Sequence, residues 1–166
     1  SAQAARDVSV SLDRLGNLLS RRGGPGDAEQ ALEYYTRSLE VRERLLAASP
    51  DSAQAARDVS VSLTKLAAVA TDPEQALQYA LRDLEIALNL KERNPQSLYY
   101  QRDAAVSFWQ TARYANAAGN QELAGQCLVG CFSILDPLVQ AGYELDPAMQ
   151  QLHTQLAEMF QDGGPE

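Results

Sequence analysis

Three sets of residues in this chain have the types and spacing for chemistry. Cys127 and Cys131 stand at i, i+4, which on a helix turns both thiols to one face. That spacing suits a metal ion, but a zinc centre wants four ligands, and the chain holds one histidine, His153. A disulfide between successive turns of one helix is strained. Both cysteines are therefore expected to be buried as small apolar side chains. His153, between Leu152 and Thr154, reads as a solvated side chain. One histidine would have to serve every acid–base role, so no Ser-His-Asp set is expected. Gly23-Gly24-Pro25-Gly26 has the glycine content of a phosphate loop but lacks the Lys-Ser/Thr and reads as a flexible turn. There is no His-Glu-x-x-His and no calcium loop. The chain is expected not to be an enzyme, with no catalytic residues, no cofactor and no metal site.

Composition narrows the classes further. The 166 residues weigh 18.1 kDa, which suits one domain or one repeat array. Hydrophobic residues make up 45%, too many for a disordered chain. Fourteen basic and 22 acidic residues give a formal charge of −8, which argues against nonspecific nucleic-acid binding. The charge is uneven: residues 97–166 hold two basic and eight acidic side chains, read as a solubilising end. No apolar run approaches the ~20 residues of a membrane helix, so no membrane is expected. No signal peptide opens the sequence, which points to a cytoplasmic location.

What must position any functional residue is an internal repeat. Residues 1–12 and 52–63 both read SAQAARDVSVSL, twelve identities at an offset of 51. SLYYQRDAAVSF at 97–108 matches five of the twelve positions. The repeats are residues 1–51, 52–96 and 97–146, with a tail over 147–166. Each reads as two helices. Ala5, Val8, Leu12, Leu15 and Leu19 share one face of a first helix, and Ala56, Val59, Leu63, Leu66 and Ala70 repeat it. Asp27, with Gln30 three residues on, is expected to cap the second helix of repeat 1. Asp72-Pro73, Gly119-Asn120 and Asp146-Pro147 mark later helix starts. Pro50 and Pro95 follow helix ends. In the tail, Met149, Leu152, Leu156 and Met159 or Phe160 form the apolar face of a seventh helix, opposite Gln150, Gln151, Thr154, Gln155 and Glu158. That helix is expected to cover the last repeat. No equivalent covers the start, so the chain is expected to be a fragment with more repeats upstream. Arg6-Asp7, Arg57-Asp58 and Arg102-Asp103 recur in register and are expected to pair between repeats as a ladder. Of the doublets Tyr34-Tyr35 and Tyr99-Tyr100, one ring each is expected to face the core.

These units resemble the tetratricopeptide repeat (TPR), in a long-unit form similar to bacterial arrays. Repeat 1 carries the resemblance best, with Leu12, Leu15-Gly16, Leu19, Ala31, Tyr35, Ser38 and Pro50. Repeat 2 offers Leu63, Leu66-Ala67, Ala70, Ala76 and Ala80. Repeat 3 is degenerate, with Phe108, Thr111-Ala112, Ala115, Ala124, Leu128 and Cys131. The resemblance implies an all-α, right-handed helical-repeat solenoid: three antiparallel helix pairs plus a C-terminal capping helix. Gly16, Ala67 and Ala112 fall where the two helices of a pair would cross.

In this family the first helices line a concave groove. The resemblance places Val10, Asp13, Asn17 and Ser20 there from repeat 1, Val61, Thr64, Ala68 and Thr71 from repeat 2, and Val106, Trp109, Arg113 and Asn116 from repeat 3. Asn17, Thr64, Trp109, Arg113 and Asn116 are the expected partner-binding residues. Trp and Arg are enriched at interface hot spots. A clamp for a C-terminal carboxylate, as in the chaperone-binding branch, is not expected in full. Asp13 stands where a basic residue would, and would repel the carboxylate, although Arg113 remains available to one acidic group. The expected function is a non-catalytic protein–protein interaction module for a peptide or helical segment. Its alternatives are a self-assembling scaffold, with self-association through the exposed N-terminal unit, or a regulatory arm of a larger protease, ATPase or signalling protein.

Overall fold

The structure, a computed structural model, describes residues 1–162; the end of the expected tail, residues 163–166, lies outside them. Seven α-helices follow one another: α1 (Ala2–Arg22), α2 (Asp27–Ala48), α3 (Ala53–Val69), α4 (Pro73–Arg93), α5 (Leu98–Ala117), α6 (Gln121–Gln140) and α7 (Pro147–Asp162). No strand occurs among the described residues. The fold is an all-α helical repeat, as the spacing of apolar residues led one to expect.

The recurring serine of the repeat explains where the first helices begin. Ser1, Ser52 and Ser97 are the N-caps of α1, α3 and α5. Their hydroxyls accept the amides of Ala4, Ala55 and Tyr100 at 3.2, 3.1 and 3.4 Å. Each bond satisfies an amide that the first helical turn leaves without a partner. Asn120 caps α6 in the same way, accepting the amide of Leu123 at 3.0 Å after Gly119 turns the chain at φ +78°. Asp72 and Asp146 accept the amides of Glu74 and Met149 at the starts of α4 and α7, as the Asp-Pro pairs suggested.

Asp27 departs from its expected part. The N-cap of α2 is Gly26, in the left-handed region at φ +78°, and Asp27 is already helical. Its carboxylate turns back instead, taking the amide of Gly24 at 2.8 Å and the Nε of Arg22 at 2.7 Å. The Gly-Gly-Pro-Gly loop is thus tied down rather than free. Arg22 holds the Asp27 carboxyl down at about 2, since the ion pair favours its charged form.

The chain divides into two compact bodies, Ser1–Ile86 and the residues from Ala87 onward. In the N-terminal body, Ala31, Tyr35 and Leu39 of α2 pack with Val59, Leu63 and Leu66 of α3, and Tyr79 and Ile86 of α4 adjoin them. Gly16 lets α1 lie against this core, because a Cβ there would come within 2.5 Å of the Tyr35 ring. In the C-terminal body, Ala104 and Ala105 of α5, Cys131, Ile134 and Leu135 of α6, and Met149, Leu152 and Leu156 of α7 form the core. Gly130 repeats the Gly16 device, since a Cβ would sit 2.6 Å from the Phe108 ring.

The apolar stripe expected of the first helices holds for α3, where Ala56, Val59, Leu63 and Leu66 are all buried. It fails for α1. Leu12 is buried, but Val8 and Leu15 are exposed, and Ser9, Asp13 and Gly16 take the inner face. Burial needs a neighbour as well as an apolar side chain, and α2 covers only one side of α1.

Tyr35 is in the core, as one ring of its doublet was expected to be. Of the second doublet, Tyr100 is half-buried, and exposed Tyr99 meets it edge to face at 5.3 Å.

Candidate functional site

The five expected partner-binding residues divide between the two bodies. On α5, Trp109, Arg113 and Asn116 succeed one another at i, i+4 and i+7. Arg113 and Asn116 are exposed. Trp109 is half-buried, its ring packed on the core of the C-terminal body. In the N-terminal body, Thr64 is exposed, with its hydroxyl donated to the Ser60 carbonyl at 3.1 Å. Asn17 is half-buried, its amide oxygen accepting the Tyr35 hydroxyl at 2.8 Å. It therefore helps to hold α2 on α1.

Asp13, expected to line a groove and repel carboxylates, is buried and does neither. It is the centre of a polar network across α1, α2 and α3. The guanidinium of Arg42, itself buried, reaches Asp13 Oδ2 at 2.9 Å, and Lys65 Nζ reaches the same oxygen at 2.8 Å. Arg42 also donates to the hydroxyls of Ser9 at 3.2 Å and Ser62 at 2.7 Å. Ser38 donates to the Ser9 carbonyl at 3.0 Å. Lys65 lies 5.6 Å from the centre of the Tyr35 ring, within cation–π range. Asp13 Oδ1 is buried without a hydrogen-bond partner. The sequence hardly announces this network. Its one available signal was an acidic residue at a position where repeat 2 has Thr64.

One rung of the expected Arg–Asp ladder is seen, between repeats 1 and 2. Arg6 grips Asp58 of the next repeat with two bonds, 2.8 and 3.3 Å. Arg102 donates instead to Asp146 at 2.6 Å, outside the recurring pairs and at the start of α7. That pairing lowers the Asp146 carboxyl below its ordinary range.

Cys127 and Cys131 are buried free thiols, as the spacing argument led one to expect. Burial pushes the Cys131 thiol up to about 12 and the Cys127 thiol upward as well, so neither is a ready nucleophile. His153, expected in solvent, is instead buried between α6 and α7. Its Nε2 lies 2.9 Å from Asp136 Oδ1, and its ring stacks on Phe132 at 5.5 Å. The apolar face of α7 is completed by an imidazole whose polar edge has a carboxylate to meet. Among the described residues, no three of His, Cys, Asp and Glu come together to hold a metal ion.

One expectation about membranes needs amendment. By length and mean composition α6 is apolar enough to cross a bilayer, although Gln126 and Asp136 interrupt its run. Its Ala124, Cys127, Cys131, Ile134, Leu135 and Leu138 are buried in the C-terminal body.

No family model matches this sequence, and no curated protein matches it. Solved structures do. The N-terminal domain of stress-induced protein-1 (STI-1) from C. elegans is 14% identical, with a TM-score of 0.52, over 93% of this chain and 98% of that one. The DHF79 filament is 19% identical over 95% of this chain and 83% of that one, with a TM-score of 0.44. The de novo designed helical repeat protein DHR64 is 16% identical over 97% and 80%, with a TM-score of 0.45. At such identities the likeness to STI-1 is one of fold, and it agrees with the repeat seen in the sequence: the chain has a TPR-like helical-repeat fold.

Proposed function

We propose that this chain is a non-catalytic protein-interaction module that takes a peptide or helical segment along its first helices. The observation that carries the reading is the outer face of α5. Arg113 and Asn116 stand exposed one and two turns beyond the half-buried Trp109, on a helix whose opposite side is fixed in a core. Arg113 has no ion pair among the described residues and offers a planar donor fork to a carboxylate. The Trp109 ring supplies apolar area whose position is already set, so binding costs little ordering of the protein. In the N-terminal body, taken by itself, exposed Thr64 and the polar edge of Asn17 are the proposed contacts. The TPR-like fold supports it, because helical repeats present side chains at fixed spacing along successive helices.

The test is capture from the native lysate with the wild-type chain and with Arg113→Glu and Asn116→Ala variants of unchanged helicity. Retained proteins are then titrated while the fluorescence of Trp109, the one tryptophan, is followed. A partner that shifts Trp109 emission and is lost with Arg113→Glu is the expected result. The reading fails if all three baits retain the same proteins with the same affinity.

A further inference from the structure

The chain contains the same twelve-residue segment in two states of cover. In repeat 2, SAQAARDVSVSL lies against repeat 1, and Val59 and Leu66 are 2% and 0% exposed. Their counterparts in repeat 1, Val8 and Leu15, are 53% and 43% exposed, and Leu18 beyond them is 64% exposed. The polar groups follow the same rule. Asp58 takes Arg6, Ser62 takes Arg42 at 2.7 Å and Lys65 takes Asp13 at 2.8 Å. Their counterparts Asp7, Ser11 and Arg14 are all exposed. Asp7 keeps just the local bond from Gln3, at 2.8 Å, which Gln54 also makes to Asp58 at 2.9 Å.

We propose that the outer face of α1, a stripe of Val8, Ser11, Leu15 and Leu18 edged on one side by Asp7 and Arg14, is a docking surface. Its occupant is a partner helix pair with the chemistry of α1 and α2. The internal contact specifies that chemistry. The partner's first helix brings an arginine to Asp7 and a carboxylate to Arg14. Its second helix brings an arginine to Ser11 and leucines, as at Leu39 and Leu46, against Val8 and Leu15. A second copy of this chain does not offer those groups, because its own α1 and α2 already spend them on its α3. This surface shares no residue with the α5 face of the proposed function, and the two stand or fall independently.

The test uses the whole chain with residues 1–51 repeated once ahead of Ser1, which keeps the offset of 51 and supplies the helix pair at high effective concentration. A Val8→Cys thiol in the original repeat 1 is labelled with a thiol reagent. The native thiols are buried and react slowly. In the plain chain the Val8→Cys thiol reacts as an exposed cysteine does. In the extended chain labelling slows by about tenfold or more, and adding Asp7→Arg restores the fast rate. Equal rates in the plain and extended chains overturn the proposal. So does an added unit that gains no helix by circular dichroism, since docking on this face is what would order it. Protection that persists with Asp7→Arg overturns the assigned chemistry. Labelling of the plain chain that slows as its concentration rises assigns the face to a second copy instead.

Discussion

Asp13 shows what one side chain contributes when its partners come from other elements. Its Oδ2 receives Arg42 and Lys65, and Arg42 reaches on to Ser9 and Ser62, so one carboxylate ties three helices. Paired charges of this kind add little stability over apolar side chains of the same shape, but removing one partner strands the other. Asp13→Leu leaves a buried guanidinium with hydroxyls alone and is expected to cost about 3–5 kcal/mol. Asp13→Leu with Arg42→Met should recover most of that loss. Urea unfolding of the three chains checks it, and a loss below about 1 kcal/mol for Asp13→Leu would sink the argument. The residue was visible in the sequence, but its role was not. Arg42 lies 29 positions away, and nothing local says that the two meet.

Helices α1 and α6 each carry a glycine where a neighbouring ring lies close. Gly16→Ala drives a methyl into the Tyr35 ring, and Gly130→Ala drives one into Phe108. Each is expected to cost about 1–3 kcal/mol by overpacking. Gly125 is the control, because it is exposed within α6 and a Cβ there meets nothing within 4 Å. Gly125→Ala should stabilise by about 0.5–1 kcal/mol through helix propensity alone. Thermal melts of the three variants give the signs, and a destabilising Gly125→Ala would contradict the packing account. The element boundaries were largely legible, because the breaking residues Pro50, Asp72-Pro73, Gly119-Asn120 and Asp146-Pro147 act locally. Gly26, the cap of α2, carries no such local signal. Asp27 has the right type and spacing for a capping box, yet Arg22 and the Gly24 amide compete for its carboxylate and win.

Across the whole molecule, Asp27 in one body and Asp146 in the other have carboxyls held below their ordinary range by Arg22 and Arg102. A carboxyl lowered in the folded state stabilises above its unfolded pKa, about 3.9, and loses that contribution as pH falls through its folded value. For Asp27 the window runs from about 4 down to about 2. Stability measured by urea unfolding should therefore fall across that range, and more steeply for wild type than for Asp27→Asn/Asp146→Asn. Parallel curves for the two proteins would remove these pairs from the account of acid sensitivity.

The sequence by itself determined an all-α chain, seven helices, most of the breaks between them and the in-register Arg-Asp pairs of the repeat. Those features depend on local periodicity, on turn residues and on a repeat that compares the chain with itself. Only the tertiary structure decided that Asp13 is buried, that His153 faces Asp136 rather than water, and that Val8 is exposed while its twin Val59 is not. Burial and pairing belong to a residue's neighbours, and two identical segments with different neighbours end in different environments.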